Sequence, residues 1–267
     1  MSAPAFQTSH SAITARLRSA GCVFAEDEAQ LLIAAAQSPG HLDRLVEQRA
    51  SGLPLEHVLG WAEFCGQRIA VDPGVFVPRR RTEYLASEAA RLIRPGAVVV
   101  DLCCGSGAVG TALAAAADGI ELHAADVDPT AVRCARRNIG PAGGQVHEGD
   151  LYSALPATLR GRVDVLVANA PYVPTDSIGM MPPEARLHEP LVALDGGADG
   201  MDVQRRIAGE APLWLAPGGH LLIETSARQA PTTAALLERA GLSAKVVHSE
   251  EFDATVVLGK RQKIHRE

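Results

Sequence analysis

The apolar positions change their period twice along the chain. Between residues 9 and 52 they recur at helical spacing: Ile13, Leu17 and Ala20, then Leu31, Leu32 and Ala35, then Leu42, Leu45 and Val46. Ser38-Pro39-Gly40 separates the second of these helices from the third. Pro54, Gly60, Gly66, Pro73, Gly74 and Pro78 then punctuate short strand-like runs such as Arg68–Val71, which predicts a β-hairpin. From Pro95 onward strands and helices alternate. Strands are expected at Ala97–Leu102, Ile120–Ala125, Gln145–Glu148, Val163–Val167 and Gly219–Glu224. Helices are expected at Ala108–Ala116, Pro129–Asn138, Val203–Leu215 and Pro231–Ala240, with Asp128 and Pro129 opening the second of these. Two closing strands, Ala244–Val247 and Ala254–Leu258, have no helix between them, so the sheet should finish antiparallel. The pattern predicts an α/β fold with a doubly wound, mostly parallel sheet. Residues 1–53 should form a small helical domain, 54–78 a β-hairpin linker and 79–267 the main domain.

Composition narrows the class. The 267 residues are 47% apolar, enough for a large α/β domain with an accessory one. The net charge of −6 argues against a nonspecific nucleic-acid binder, which carries a basic face. Neither a leader pattern nor a membrane-length apolar run is evident, and a cytoplasmic protein is expected. Cysteines 22, 65, 103, 104 and 134 lack paired metal-ligand spacing. They read as reduced thiols, with no metal site expected.

Candidate chemistry begins at the run Val163–Val167, a short buried strand that ends in Asn169-Ala170-Pro171-Tyr172. Ligands of open α/β sheets sit outside the carboxyl ends of strands. Pro171 fixes its own φ and holds Ala170 extended. The Ala170 carbonyl and the Asn169 side-chain oxygen can then converge on the two N–H bonds of a planar NH2 group. Tyr172 offers a flat face for the same group to stack on. The tetrapeptide taken alone reads equally well as an ordinary strand-to-loop turn.

Asp101-Leu-Cys-Cys-Gly-Ser-Gly-Ala-Val-Gly110 supplies the context, because it follows a strand and opens a helix. Gly105, Gly107 and Gly110 satisfy the dinucleotide fingerprint, and Asp126 falls at the end of the next strand. A dinucleotide is therefore one reading. Against it, Asp101 would set a carboxylate near the pyrophosphate, a repulsion of about 1 kcal/mol at ~4 Å even in bulk water. The same carboxylate suits a cationic ligand without phosphates, such as S-adenosylmethionine, whose ribose diol Asp126 can bind. Asp150, after Gly149, shares this rim and is placed near the adenine or as a helix cap. Cys103 and Cys104 read as small loop residues rather than nucleophiles, since no histidine is assignable beside them.

In their order these pieces resemble the HemK (PrmC) family of S-adenosylmethionine-dependent protein-glutamine methyltransferases. The likeness runs from about Pro54 to Arg261. It includes Glu56–Gly60, Val77–Glu83, the Asp101–Gly107 loop, Gly149–Leu151, Asn169–Tyr172, His188–Pro190, Leu194–Gly197 and Leu222–Glu224. It implies a Rossmann-like class I methyltransferase fold with a small N-terminal helical domain that helps to recognise a protein substrate. It also implies that Cys103, Cys104, Gly105, Ser106, Gly107, Asp126, Leu151 and Asn169 line the cofactor. Asn169 to Tyr172 would hold the target amide, and S-adenosylhomocysteine would be the product. The implied partner is a protein bearing a glutamine, with the Gly-Gly-Gln loop of a translation release factor as candidate; a monomer is favoured. The alternative acceptors are adenine in nucleic acid or a small-molecule amide. Three departures stand out: Ala170 replaces the usual Pro, Arg80-Arg81 replace Pro-Glu, and Ser249–Asp253 lacks the usual pattern.

Overall fold

The computed structural model describes residues 4–263, so the outermost residues of the expected terminal spans lie outside it. Helices α1 (Pro4–Ser19), α2 (Ala25–Ala35) and α3 (Pro39–Ala50) enclose a core of their own around Leu17, Ala29, Leu32 and Leu45. Ser38 starts α3, accepting the His41 N–H, and Pro39 occupies the first helical position. Two expected positions fall elsewhere. Leu31 is at the surface because α2 begins at Ala25, which makes Ala25, Ala29 and Leu32 its buried stripe. Ala20 lies beyond the end of α1 and is exposed.

The hairpin is present as β1 (Trp61–Phe64) and β2 (Gln67–Ala70), but a short helix, α4 (Leu55–Leu59), precedes it. Gly60, at φ +78°, ends α4 in the left-handed conformation that favours glycine. Helix α5 (Thr82–Ala90) follows the arginine run and buries Leu85, Ala86 and Ala89. Neither α4 nor α5 was anticipated from the apolar pattern: α4 has only five residues, and α5 carries Glu83 and Glu88 among its apolar positions.

The main sheet contains β3 (Val98–Leu102), β4 (Glu121–Asp126), β5 (Gln145–Glu148), β6 (Val163–Ala168), β7 (Leu215–Thr225), β8 (Leu242–Ser249) and β9 (Ala254–Arg261). Between them run α6 (Ala108–Ala116), α7 (Pro129–Ile139), α8 (Pro183–His188), α9 (Asp202–Trp214) and α10 (Ala230–Arg239). The spatial order is β5-β4-β3-β6-β7-β9-β8, with β9 antiparallel to both its neighbours. This is the Rossmann-like methyltransferase fold, with the antiparallel finish that the sequence predicts. Both faces of the sheet are covered: Val100, Leu166 and Trp214 belong to one core, and Val99, Leu113 and Val165 to the other. Double burial explains why β3 and β6 are nearly continuous apolar runs, interrupted only by Asp101 and Asp164. β7 starts at Leu215 rather than Gly219, with a register irregularity between Val163 and Val165 on its partner β6. Among the described residues no helix is long and apolar enough to cross a membrane.

One buried ion pair ties α2 to α3 inside the helical core, and its arginine also reaches α8 of the main domain. Arg49 on α3 donates to both carboxylate oxygens of Glu28, at 2.6 and 3.1 Å, and both side chains are about 10% exposed. The same guanidinium donates to the Leu53 carbonyl and to Glu184 of α8. Removing one partner of a buried pair strands the other charge. Arg49→Ala should therefore lower stability by about 3–5 kcal/mol in urea unfolding. A loss below about 1 kcal/mol, the range of surface pairs, would contradict this account.

Candidate active site

A cavity of about 680 Å³ opens at the carboxyl ends of β3, β4 and β6, where the strand order reverses. Asp101, Cys103, Cys104, Gly105, Ser106, Asp126, Asp150, Leu151, Asn169, Ala170, Pro171 and Tyr172 line it, whereas the fingerprint glycines Gly107 and Gly110 do not. Gly107 faces away, and a Cβ there would come within 2.9 Å of Ile139 Cδ1. Its role is close packing of α6 on α7, at a φ of +78° that also requires glycine. Gly105 is different, since a Cβ there would meet nothing within 4 Å.

The loop after β3 is held from below. Asp126 accepts the Gly105 N–H at 2.8 Å on one oxygen and the Asp128 N–H at 2.9 Å on the other. Asp128 caps α7 through the Thr130 N–H, as its position predicts. Asn138, which the sequence offered only as a helix end, donates to the Ser106 and Ala70 carbonyls and accepts the Ala70 N–H. It ties the loop to the hairpin.

The acids are not equivalent. Asp101 is buried, with one oxygen 2.9 Å from the Gly110 N–H. Burial pushes its carboxyl up to about 7, and the Asp126 charge adds to this. The low-dielectric interior therefore favours the protonated form of an acid that the sequence alone presents as a carboxylate. Burial likewise raises Asp126. Asp150 sits at the solvent edge of the cavity and pairs with Arg206 at 2.5 Å; no side-chain cap bond forms. Burial raises the Cys103 and Cys104 thiols well above their ordinary value, reinforced by the neighbouring acids. Both stay protonated, in keeping with small loop residues rather than nucleophiles.

Across the cavity, Asn169 extends from the end of β6. Its Nδ2 donates to Thr82 Oγ1 at 3.2 Å, which leaves Oδ1 as the free acceptor. Ala170 and Pro171 are buried beside it. The Tyr172 hydroxyl donates to Glu224 Oε1 at 3.4 Å. Burial, then the Glu224 charge, pushes that phenol up to about 12, so it remains a donor. The backbone beyond Tyr172 is fixed by three residues whose functional weight sequence reasoning missed. Gln229 donates to the Tyr172 carbonyl at 3.0 Å. Glu189, almost wholly buried, accepts from Arg79 at 2.6 and 2.7 Å and from the Val77 N–H at 3.2 Å. For Glu189 the only signal was the His188-Glu-Pro190 motif; for Gln229 there was none.

The fold, the glycine-rich loop and the acceptor-lined cavity define a class I methyltransferase, the class that takes its methyl group from S-adenosylmethionine. Residues 67–180 match the Methyltransferase small domain family. The chain is 39% identical over 199 residues to the release factor glutamine methyltransferase of Geobacter sulfurreducens, covering 74% of this chain and 69% of that one. It belongs to the release factor glutamine methyltransferase family. It is also 36% identical over 203 residues to a 4-amino-L-phenylalanine/4-methylamino-L-phenylalanine methyltransferase of Streptomyces pristinaespiralis, covering 73% and 69% of the two chains. In fold it resembles a methyltransferase of Pyrococcus furiosus, with a TM-score of 0.56 at 18% identity over 74% of this chain and 90% of that one.

The raised Asp101 has a thermodynamic consequence. Between the ordinary carboxylate range, about 4, and about 7 the folded chain keeps a proton that the unfolded chain releases. The stability contributed by this group is full below that window and lost as pH rises through it, by up to about 1.4 kcal/mol per unit. Asp101→Asn keeps an acceptor for Gly110 but does not titrate. The variant should therefore gain on the parent between pH 5 and 7.5 in denaturant unfolding (~1–3 kcal/mol). A parent–variant difference that is flat across these pH values would refute the assignment.

Proposed function

We propose that the chain transfers a methyl group from S-adenosylmethionine to the side-chain amide nitrogen of a protein glutamine. The Gly-Gly-Gln glutamine of a translation release factor is the acceptor we favour. The observation that carries this reading is the direction of the Asn169 amide. With Nδ2 committed to Thr82, Oδ1 is left as the acceptor, and Asn169 lines the same cavity as Ala170 and the glycine-rich loop. In this reading Asn169 Oδ1 and the Ala170 carbonyl accept both N–H bonds of the target amide. Replacement of the usual Pro by Ala170 keeps that carbonyl.

The residues present suit the donor. The cavity volume lies in the range of small-molecule sites, and its loop face carries Gly105, where no side chain obstructs an approach. Asp126 retains lone pairs for a diol, and the acidic rim suits a cation. When bound, the donor supplies an electrophilic methyl group on a positively charged sulfur. The protein's part is to overcome the poor nucleophilicity of an amide, whose lone pair is delocalised into its carbonyl. Accepting both N–H bonds raises electron density on nitrogen and fixes its direction. Positioning of this kind can lower a barrier by about 7–11 kcal/mol. The proton that the nitrogen gives up can pass to water. The N-terminal helices, attached through Arg49 and Glu184, are suited to contact the protein acceptor.

This chain carries its own Gly143-Gly144-Gln145, but that tripeptide is a packed turn. A Cβ at Gly144 would fall 2.4 Å from Ile139, and Gln145 begins β5. A small molecule bearing a planar amine is the second reading. It is favoured by the Streptomyces relative and by Arg81, a cation on the cavity wall suited to a carboxylate. Labelled methyl donor incubated separately with release factors, ribosomal proteins, DNA and 4-amino-L-phenylalanine distinguishes the acceptors. Label on the Gly-Gly-Gln glutamine is expected; label confined to DNA or to the amino acid would sink the proposal.

Two variants should separate binding from chemistry. Asp126→Ala should weaken S-adenosylhomocysteine in calorimetry by about 1.5–3 kcal/mol per lost bond to the carboxylate. Asn169→Ala should instead reduce turnover on the order of 100-fold with cofactor affinity nearly kept. Equal losses of binding and turnover in Asn169→Ala would make that residue structural.

A further inference from the structure

Glu224 is a buried carboxylate whose position in the cavity wall calls for a role. Ala168 pairs with Ile223 across β6 and β7, so Asn169, the first residue past β6, comes next in register to Glu224, which is still within β7. Glu224 is 2% exposed and lines the cavity, and its Oε2 has no hydrogen-bond partner among the described residues. A packed apolar residue would avoid the desolvation of that charge. Oε1 takes the Tyr172 hydroxyl, and the Thr82 hydroxyl beside the carboxylate favours its ionised form. Thr82 Oγ1 in turn accepts from Asn169 Nδ2.

We infer that Glu224 is a positioning residue that sets the direction of the Asn169 amide through Thr82. The inference rests on the proposed role of Asn169 in holding the acceptor. An ionised carboxylate can only accept, so a Thr82 hydroxyl turned to it must donate. The lone pairs of Thr82 Oγ1 are then left for Asn169, which must present its NH2 inward and Oδ1 to the acceptor. A group that can also donate at position 224 lets the Thr82 hydroxyl turn round, point at Asn169 Oδ1 and reverse the amide. Protonation of Glu224 does the same. The charged or titratable groups that face Glu224 are Arg81, from the turn into α5, and Tyr172; its partner on β9, Val256, is apolar. Burial raises the Glu224 carboxyl against the opposing influence of Thr82, Arg81 and Tyr172. Turnover should therefore fall on the acid side as this group takes up its proton.

The test uses the full chain as parent, Glu224→Gln, Thr82→Val and Thr82→Ser, each checked for folding by its melting curve. Glu224→Gln and Thr82→Val should bind S-adenosylhomocysteine within about twofold of the parent and lose about tenfold or more in kcat on a release factor. Thr82→Ser, which keeps the hydroxyl, should recover most of that loss, and Glu224→Gln should lack the parent's acid limb. The Asn169 side-chain NH2 resonance, assigned by its disappearance in Asn169→Ala, gives a readout that needs no acceptor. It should shift in both Glu224→Gln and Thr82→Val. Parental kcat in Glu224→Gln, cofactor binding that falls as far as kcat, or an unmoved Asn169 resonance in both variants would overturn the inference. Should Glu224→Gln not fold, Thr82→Val and its resonance still decide. A parent that leaves release factors unmethylated defeats the acceptor reading alone, because the resonance comparison stands without it.

Discussion

Everything on the cofactor side of the cleft depends on the bond from the Gly105 N–H to Asp126. It joins the tight loop after β3 to the end of β4 and fixes both at the point where the sheet changes direction. The bond holds a carboxylate near a second one, Asp101, which is itself engaged by Gly110. Desolvation raises the proton affinity of both acids, and the Asp126 charge raises that of Asp101 further. A cation entering the cavity relieves both penalties. The loop thus combines a rigid turn, neighbouring acids and an unobstructed backbone face at Gly105.

The acceptor side is assembled from much more distant parts of the chain. Asn169 and Tyr172 come from the segment after β6, Thr82 from α5 and Glu224 from β7, while Gln229 lies just before α10. The segment between Tyr172 and Gly200 would be a long unsupported loop without its anchors. Val173 exchanges backbone bonds with Leu194 and Gly196, and Glu189 is locked to Arg79. A Cβ at Gly200 would lie 2.3 Å from the Tyr172 carbonyl, so glycine is required for this close passage. The α8 stretch carries Glu184, whose bond to Arg49 brings the helical core to the same wall. Acceptor and cofactor surfaces meet only because strands β3 and β6 are neighbours.

Legibility in the sequence followed the range of the forces involved. The strands from β3 onward and helices α6, α7, α9 and α10 are announced by local period and by caps such as Asp128 and Pro129, and those signals act within a few residues. The order of Gly105, Asp126 and Asn169 on successive strand ends was likewise readable, because α/β sheets bring such ends together. Helices α4, α5 and α8 were not: α4 and α8, of five and six residues, are too short for a period to show, and α5 sets Glu83 and Glu88 among its apolar positions. Leu31 was misplaced because the phase of a helix depends on where it starts. The protonation state of Asp101 and the setting of Glu224 were hidden for another reason. Both follow from burial and from partners on other elements, and neither leaves a mark on neighbouring residues.

The departures from the family pattern look scattered along the chain but converge in space. Arg80 lies over the Phe252 ring at 5.8 Å, and Tyr84 stacks on the same ring at 6.3 Å. The Tyr84 hydroxyl also reaches the His248 carbonyl at 3.4 Å. The altered Arg80-Arg81 pair and the altered Ser249–Asp253 turn are therefore two sides of one contact between α5 and the β8–β9 connection. That contact has a consequence inside the cleft, because α5 begins with Thr82, the partner of Asn169. Support of its first turn by Phe252 and Tyr84 steadies Thr82, while the next arginine, Arg81, faces the cavity. A Glu in that place would put a second anion near Glu224; Arg81 instead favours the ionised carboxylate. The exchange of Glu for Arg changes the charge of the acceptor wall without touching the residues that would grip an amide. A family site can in this way keep its chemistry while the preference for what enters it shifts.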